Sequence, residues 1–154
     1  AIWPYESFEQ RVRIRKEAGS GQGWPPDTGD LVTKVTSGIY CPAPFMSPPL
    51  KSKMGPIYEM RLYTYPPEDV AMLLQAWGKA MPEREKLSSM VGCWYNESGG
   101  PNNFIHMWAY SSFEERLRIR QEAKDKNIWP PPSDARLIRQ ETKILLPSLF
   151  SPLQ

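Results

Sequence analysis

The sequence IHMWAYSSFEERLRIRQEA, residues 105–123, occurs twice in this chain in closely related form. The earlier copy is IWPYESFEQRVRIRKEA, residues 2–18. When residue n is placed beside residue n+105, seventeen of the 45 pairs from Ala1 to Phe45 are identical, without a gap. A fixed internal period of this kind is the signature of a duplicated structural unit. The sequence therefore predicts a tandem repeat whose first copy is incomplete.

The repeat also sets the predicted domain boundaries. Residues 1–50 are predicted to be the C-terminal half of a first repeat, residues 51–56 a linker, and residues 57–154 a complete repeat. Because Ala1 aligns with His106, in the middle of the complete copy, about 50–60 residues of the first repeat are expected upstream of Ala1. Any targeting signal is expected to lie there as well.

Composition is that of an ordinary globular protein and argues against two classes of partner. The chain of 154 residues is 40% hydrophobic and 23% charged. Its net charge of +2 is too small to indicate nucleic-acid binding, and no apolar run approaches the ~18 residues of a transmembrane helix. Cys41 and Cys93 lack the spacing of a metal site, and we expect both to be reduced and buried. We predict no metal and no cofactor.

The complete repeat has the predicted element order βαββαβ, read from period-2 and period-3.6 patterns. The predicted strands are residues 57–65, Met90–Tyr95, Phe104–Tyr110 and Glu141–Leu146. The predicted helices are Asp69–Glu85 and Phe113 to about Asp125, the second capped by Ser112, with one further helical turn at Ser133–Ile138. A hairpin connection is predicted at Asn96–Asn103. This order is that of the ferredoxin-like split βαβ arrangement. The predicted fold class is α+β, with tandem βαββαβ units packed sheet to sheet.

The incomplete copy is predicted to contain only the second half of this pattern. A strand is expected at Ala1–Tyr5, a helix at Phe8–Ala18 with Ser7 as its N-cap, and a strand at Leu31–Tyr40. A half-sheet has open edges, so we expect upstream residues or another chain to complete it.

Four motifs of the complete repeat resemble the NIPSNAP family, in the same order. GPIYEMRLYTYPPE at residues 55–68 is similar to the family's Gly-x-x-Tyr-Glu-Leu-Arg-x-Tyr opening, and Trp77-Gly78 to the Trp-Gly of its first helix. HMWAY at 106–110 resembles the His-Leu-Trp-Ala-Tyr strand, and LLPSLFSPLQ at 145–154 the Ile-Pro-x-x-x-Ser-Pro-Leu-Gln ending. Residues 1–50 look like the back half of the family's first, more divergent repeat. Ala1 departs from the pattern by standing where the family often has His.

The resemblance implies the dimeric α/β-barrel superfamily fold and a non-enzymatic scaffold that acts through protein–protein contacts. It implies a mitochondrial (matrix) location in eukaryotes and a cytoplasmic one in bacteria. The implied partners are other proteins, or further copies of this chain bound through sheet faces. Two alternatives stay open: a small-molecule binder or cofactor-independent, monooxygenase-like enzyme of the same superfamily, and a structural subunit of a larger assembly. A fold alone does not carry chemistry from one family to another.

The candidate pocket is centred on His106, the one histidine of the chain. Strand alternation puts His106, Trp108 and Tyr110 on one face. With Tyr63 they would line a pocket in which His106 acts as an acid/base group or binds a ligand. Alternatively, His106 holds an aromatic cluster together. The enzyme hypothesis needs a cavity behind this strand and fails if the space is filled by Met60, Leu62, Trp77 and Leu117. No catalytic residue is assigned.

Two arginine pairs at equivalent positions of the copies form a candidate anion-binding set: Arg11, Arg15, Arg116 and Arg120. Each pair lies beside the apolar face of its helix, so the guanidinium groups must reach solvent, pair with carboxylates or hold an anion. The candidate carboxylate partners are Glu9, Glu17, Glu114, Glu122 and Glu59, which lies near Arg61 on the first strand. Repetition in both copies favours ion pairs over an anion site, and both hypotheses stay open.

Overall fold

A computed structural model describes residues 1–21, 29–47, 52–96 and 102–153. These residues form two compact units, Ala1–Ser37 and Gly38–Gln154. The division of the sequence into repeats at residues 50 and 57 stays a prediction. Most of the predicted hairpin connection Asn96–Asn103, and Lys51 of the predicted linker, lie outside the described residues.

The smaller unit contains the helix α1 (Phe8–Ser20), and the larger unit contains the remaining elements. In chain order these are β1 (Cys41–Pro42), β2 (Ile57–Tyr65), a 3₁₀ turn (Pro67–Asp69), α2 (Val70–Glu85), β3 (Met90–Tyr95), β4 (Asn102–Tyr110), α3 (Phe113–Asp125) and β5 (Arg139–Leu145). None of the described helices is long and apolar enough to cross a membrane.

The sheet of the larger unit is antiparallel, with the strand order β1-β3-β4-β2-β5. Without the short β1, this is the strand order of the ferredoxin-like fold, in which the first strand lies between the third and the fourth. The predicted α+β class and βαββαβ order are therefore confirmed.

The helices begin where the sequence predicts. The Ser112 hydroxyl accepts a hydrogen bond from the backbone N–H of Glu115 at 3.1 Å, and the Ser7 hydroxyl accepts one from Gln10 at 3.1 Å. These caps pair N–H groups that the first turn of a helix leaves without a partner. Both α1 and α3 start at the next residue, so the repeated Ser-Phe-Glu motif fixes the same helix start in both copies.

Apolar side chains pack on both faces of the sheet. The face that carries α2 and α3 holds the larger cluster, which includes Tyr63, Leu73, Trp77, Met81, Phe104, Trp108 and Ile119. The opposite face holds a smaller cluster of Tyr58, Val91, Met107 and Ala109, against which Met54 and Leu153 pack. The Tyr58 hydroxyl donates a hydrogen bond to the Leu153 carbonyl at 2.6 Å. Sheet-to-sheet packing of two repeats stays a prediction.

Gly55, which opens the first of the four motifs, sits against the end of β4. A Cβ atom added there would lie 2.6 Å from the Tyr110 carbonyl oxygen, which is closer than side-chain carbons approach backbone. Only glycine permits this approach, which brings the chain into β2 alongside β4.

Two strands predicted in the first copy are absent, and both predictions are wrong. Residues 1–5 and 31–40 are irregular, and only Cys41–Pro42 from this region joins the sheet. A strand persists where a neighbour pairs its N–H and C=O groups, and no strand pairing involves these two segments among the described residues. Period-2 patterns report which side chains suit a sheet, and not whether a neighbouring strand is present.

Two further predictions are corrected. The predicted turn of helix at Ser133–Ile138 is irregular, because its amides bond elsewhere: Arg136 N–H donates to Asp69 Oδ2 at 2.8 Å and Ile138 N–H to the Thr64 carbonyl at 2.9 Å. Cys41, predicted to be buried, is exposed on the two-residue edge strand. Cys93 is buried as predicted, and burial raises the pKa of its thiol.

Candidate functional site

A cluster of charged side chains lies between the sheet and α3, centred on the buried Glu59. The Glu59 side chain is 0% exposed. Its carboxylate oxygens lie 2.6 Å from Arg116 Nη2, 3.8 Å from Arg61 Nε and 3.8 Å from Arg120 Nη1. One carboxylate therefore faces three guanidinium groups. The hydrogen bond from Arg116 to Glu59 raises the pKa of that guanidinium further.

Strand and helix periodicity bring these residues together. Residues 59, 61 and 63 alternate onto one face of β2, and β2 pairs with β4 so that Glu59 is opposite Trp108 and Arg61 is opposite His106. Arg116 and Arg120 are one helical turn apart on α3. Of the carboxylate partners that the sequence offered, Glu59 is the one that Arg116 and Arg120 reach.

The other predicted arginine pair is in a different setting. Arg11 and Arg15 belong to α1 in the smaller unit, and no residue of that helix is buried. The ion pair described on α1 joins Arg13 to Glu17 at 3.4 Å, between exposed side chains. Such exposed pairs contribute little to stability. Burial therefore distinguishes the two copies at positions where their sequences are identical.

His106 is buried and neutral. Its Nδ1 accepts a hydrogen bond from the indole N–H of Trp108 at 2.7 Å. Because a neutral imidazole has one proton, that proton is on Nε2, which is buried and has no hydrogen-bond partner among the described residues. Burial, followed by the charges of Arg61, Arg84 and Arg120, holds the pKa of His106 well below its usual value.

Aromatic rings fill the space around His106. The imidazole lies 4.7 Å from the Trp77 ring and 5.0 Å from the Tyr63 ring, both edge to face. Trp129, from the segment after α3, lies 4.3 Å from Trp77 and 5.8 Å from Trp108. Edge-to-face pairs at these distances are favourable, so His106 is the centre of an aromatic cluster.

The four predicted pocket residues thus lie together on the helix-facing side of the sheet: His106, Trp108, Tyr110 and Tyr63. Four residues were expected to fill the space behind β4 if no pocket is present, and of these Trp77 packs against His106. Met60 instead packs on the opposite face of the sheet, and Leu117 is exposed on α3. Two grooves of about 380 and 490 Å³ lie along α2, and no residue of β4 lines either of them.

Arg84, near the end of α2, packs against the aromatic cluster and was not predicted. It is 2% exposed, and its guanidinium carbon lies 4.1 Å from the centre of the Trp108 ring. It donates to Ser88 Oγ at 2.8 Å and to the Tyr110 hydroxyl at 3.4 Å. Burial lowers its pKa. Arg84 follows Trp77 by seven residues, about two helical turns, and this spacing was the signal in the sequence that places both side chains on one face of α2.

The cluster offers donors and positive charge rather than metal ligands. Within the part of the chain that the structure describes, no three His, Cys, Asp or Glu residues come together to hold a metal ion. Stacked guanidinium groups and a neutral imidazole N–H are groups that bind oxyanions or fix aromatic side chains. The arrangement therefore suits binding better than proton transfer.

Lowering the pH from 7 to 5.5 is expected to destabilise the protein by about 1 kcal/mol through His106. The folded state keeps His106 neutral, while the unfolded chain protonates it near pH 6.5. The contribution is therefore full above pH 6.5 and is lost as the pH falls below it. Urea denaturation at pH 7, 6.5, 6 and 5.5 measures this loss.

The control for this experiment is His106→Gln, which removes all histidine titration because His106 is the one histidine. The variant is expected to show a flat free energy of unfolding between pH 5.5 and 6.5. If the free energy of unfolding depends on pH equally in the two proteins, His106 is not the cause of the loss of stability.

Comparison with known sequences gives one family. The NIPSNAP family profile matches residues 58–152. A NipSnap homolog from Dictyostelium discoideum is 33% identical over 100 residues, which cover 63% of this chain and 45% of that protein. Mouse NipSnap homolog 3B is 33% identical over 120 residues, covering 74% of this chain and 47% of that protein. The chain therefore spans about half the length of these relatives.

Comparison with solved structures agrees. A NIPSNAP family protein with unknown function from Agrobacterium tumefaciens superposes with a TM-score of 0.56 at 30% identity, covering 64% of this chain and 93% of that one. A second family protein from the same organism gives a TM-score of 0.51 at 26% identity, covering 64% and 98%. These matches confirm the resemblance carried by the four motifs.

Proposed function

The chain belongs to the NIPSNAP family, and from that premise we propose that it is a non-enzymatic scaffold that acts through protein–protein contacts. The main support is a difference between two equivalent segments. Cys41–Phe45, at the end of the first copy, is docked on the sheet and on α2. Residues 146–150, their counterparts 105 positions later, follow β5 and expose their apolar side chains.

The contacts of the docked segment support the binding mode proposed for its counterpart. Cys41–Pro42 adds to the edge of β3. The Ala43 N–H then donates to the Cys93 carbonyl at 2.9 Å. Phe45 packs on α2 at Gly78, where an added Cβ would lie 3.3 Å from the Phe45 ring. The receptor is thus a strand edge followed by an apolar patch on a helix, a recognised way of binding an extended segment.

The exposed segment carries the same kind of side chains without a receptor in the described structure. Leu149 is 88% exposed and Phe150 is 90% exposed. Burying each would contribute about 1.5–3 kcal/mol. An exposed apolar patch of this kind is typical of an interaction site. The partner proposed for it is a second NIPSNAP unit, which offers its β3 edge and its α2.

The other two functional hypotheses have less support. A monooxygenase-like enzyme needs room for a substrate behind β4, and aromatic rings occupy the space around His106. A structural subunit of a larger assembly would also bind other copies through residues 146–150. It would differ from the proposed scaffold only in the number of partners.

Replacing Leu149 and Phe150 together by serine is expected to abolish association between copies. The wild-type chain is expected to self-associate with a Kd on the order of 10 µM, about −7 kcal/mol, because the incoming segment must displace Cys41–Phe45 of its partner. Loss of two apolar anchors is expected to weaken binding by a factor of ten or more. Sedimentation velocity over a concentration series measures this.

Leu137→Ser with Ile138→Ser is the matched control, since both side chains are exposed and lie on the other side of β5 in sequence. It is expected to associate like the wild type. A receptor variant, Phe45→Ser, removes the ring that the incoming segment must displace and is expected to bind the wild-type segment more tightly. A wild-type chain that stays monomeric, or equal weakening by both serine pairs, would contradict the proposed contact.

A mitochondrial matrix location in a eukaryotic source, or a cytoplasmic one in a bacterial source, is part of the same proposal and rests on the family resemblance. Fractionation of the source cells, followed by detection of the endogenous protein with an antibody, tests it. Recovery outside mitochondria in a eukaryote would contradict the location without affecting the segment contact.

A further inference from the structure

The Glu59 cluster contains an excess of hydrogen-bond donors. Four buried polar atoms in this cluster and in the aromatic cluster beside it have no hydrogen-bond partner among the described residues: Glu59 Oε2, Arg84 Nε, His106 Nε2 and Arg116 Nε. Three of these are N–H donors, and one is an acceptor. Buried polar atoms in folded proteins are almost always paired, with protein, water or a ligand. Arg84 and His106 pack against aromatic rings, so the unpaired donor on the arginines that face Glu59 is Arg116 Nε. An acceptor from water or from a bound group is therefore expected beside Arg116.

The cluster also contains an excess of positive charge. Three arginines face Glu59, which is the acidic side chain described among them. Only Arg116 is within hydrogen-bond distance of Glu59. Arg61 and Arg120 stay 3.8 Å away, which is too far for a hydrogen bond. Arg61 Nε donates instead to the Thr142 hydroxyl at 3.4 Å. The terminal N–H groups of Arg61 and Arg120 have no hydrogen bond among the described residues and are the donors available for a second anion.

Exposure to solvent increases across the cluster from Glu59 to Arg120. Glu59 is fully buried, Arg61 and Arg116 are partly buried, and the Arg120 side chain is 40% exposed. A small group from solvent therefore meets Arg120 first. The aromatic rings around His106 close the far side.

We propose that the Glu59 cluster binds a small oxyanion, the carboxylate or phosphate group of a small molecule, through Arg61 and Arg120. Guanidinium groups present paired N–H donors that match two oxygens of such a group. Glu59 and Arg116 position the site, because the central carboxylate offsets the repulsion that would otherwise separate the arginines. This ligand site is independent of the exposed segment at residues 146–150.

Thermal unfolding of the full chain tests the proposal with two probes, acetate and inorganic phosphate, each compared with chloride at equal ionic strength. At a probe concentration about 100 times Kd, the Tm is expected to rise by roughly 5 °C above the chloride value. A rise with acetate alone identifies a carboxylate site, and a rise with phosphate alone identifies a phosphate site. Either result supports the oxyanion class.

Two variants of α3 form a matched pair: one removes an arginine that faces Glu59, and the other removes an arginine on the exposed side of the helix. Arg120→Gln is expected to weaken binding at least tenfold. Arg118→Gln is expected to bind like the wild type, because Arg118 is exposed and pairs with Glu122 at 3.1 Å, away from the cluster. Arg61→Gln is a second test of the site if Arg120→Gln fails to fold, as judged by circular dichroism.

Two results would overturn the proposal. If neither probe raises the Tm above chloride, the unpaired donors are satisfied by water alone. If Arg120→Gln and Arg118→Gln lose the rise equally, or both keep it, the effect is a general response of the surface to salt.

Discussion

Replacing Glu59 by alanine is expected to lower the free energy of unfolding by about 3–5 kcal/mol. The substitution removes the carboxylate that three guanidinium groups face and leaves Arg116 partly buried without its hydrogen-bonding partner. Arg61, Arg116 and Arg120 would then repel one another in a region shielded from water. Urea denaturation at pH 7, followed by circular dichroism, measures the change.

Glu83→Ala is the control for this substitution. Glu83 also forms a short ion pair, 2.6 Å from Lys86, but both side chains are exposed. Its removal is therefore expected to cost less than about 1 kcal/mol. If the two alanine variants lose equal stability, the buried ion pairs of Glu59 contribute no more to stability than the exposed pair of Glu83.

Trp77→Ala is expected to cost about 3–5 kcal/mol, an effect of similar size with a different origin. The Trp77 ring contacts Phe104 at 4.7 Å, His106 at 4.7 Å and Trp129 at 4.3 Å, measured between ring centres. Removing the indole leaves a cavity where the sheet, α2 and the segment after α3 meet. The midpoint of urea denaturation is expected to fall accordingly.

Leu117→Ala is the control, because Leu117 is 62% exposed on α3 of the same unit. It is expected to change the free energy of unfolding by no more than about 0.5 kcal/mol. A loss of stability in Trp77→Ala that is no larger than this would mean that the aromatic cluster rearranges to fill the space.

The fold of the complete repeat could be predicted because its signals are local. Alternation in Ile57–Tyr65, helical spacing in α2 and the Ser112 cap each depend on residues close together in sequence. The two strands expected in the first copy could not be predicted in the same way. Ala1–Tyr5 and Leu31–Tyr40 have side chains that suit strands, but a strand also needs a neighbour that pairs with it.

The part of the candidate site that lies on a single strand or a single helix could be predicted from periodicity. Alternation placed His106 and Trp108 on one face, and helical spacing placed Arg116 and Arg120 together. The choice of Glu59 among the possible carboxylates depends on the distance between β2 and α3, which no sequence pattern encodes. Arg84 was missed because an arginine in the last turn of a helix is ordinarily explained by the helix dipole.

The interior position of β2 in the sheet has a consequence for the synthesis of the chain. Among the four long strands β2 is the first to be made, yet Tyr58 pairs with Ala109 on one side and with Leu145 on the other. Both edges of β2 are therefore unpaired in the nascent chain until the two later strands have been made, and pairings so distant in sequence form slowly. Open strand edges invite pairing with other chains during that interval. Substitutions that delay the pairing of β5 are therefore expected to reduce the yield of native protein, even where they leave its final stability unchanged.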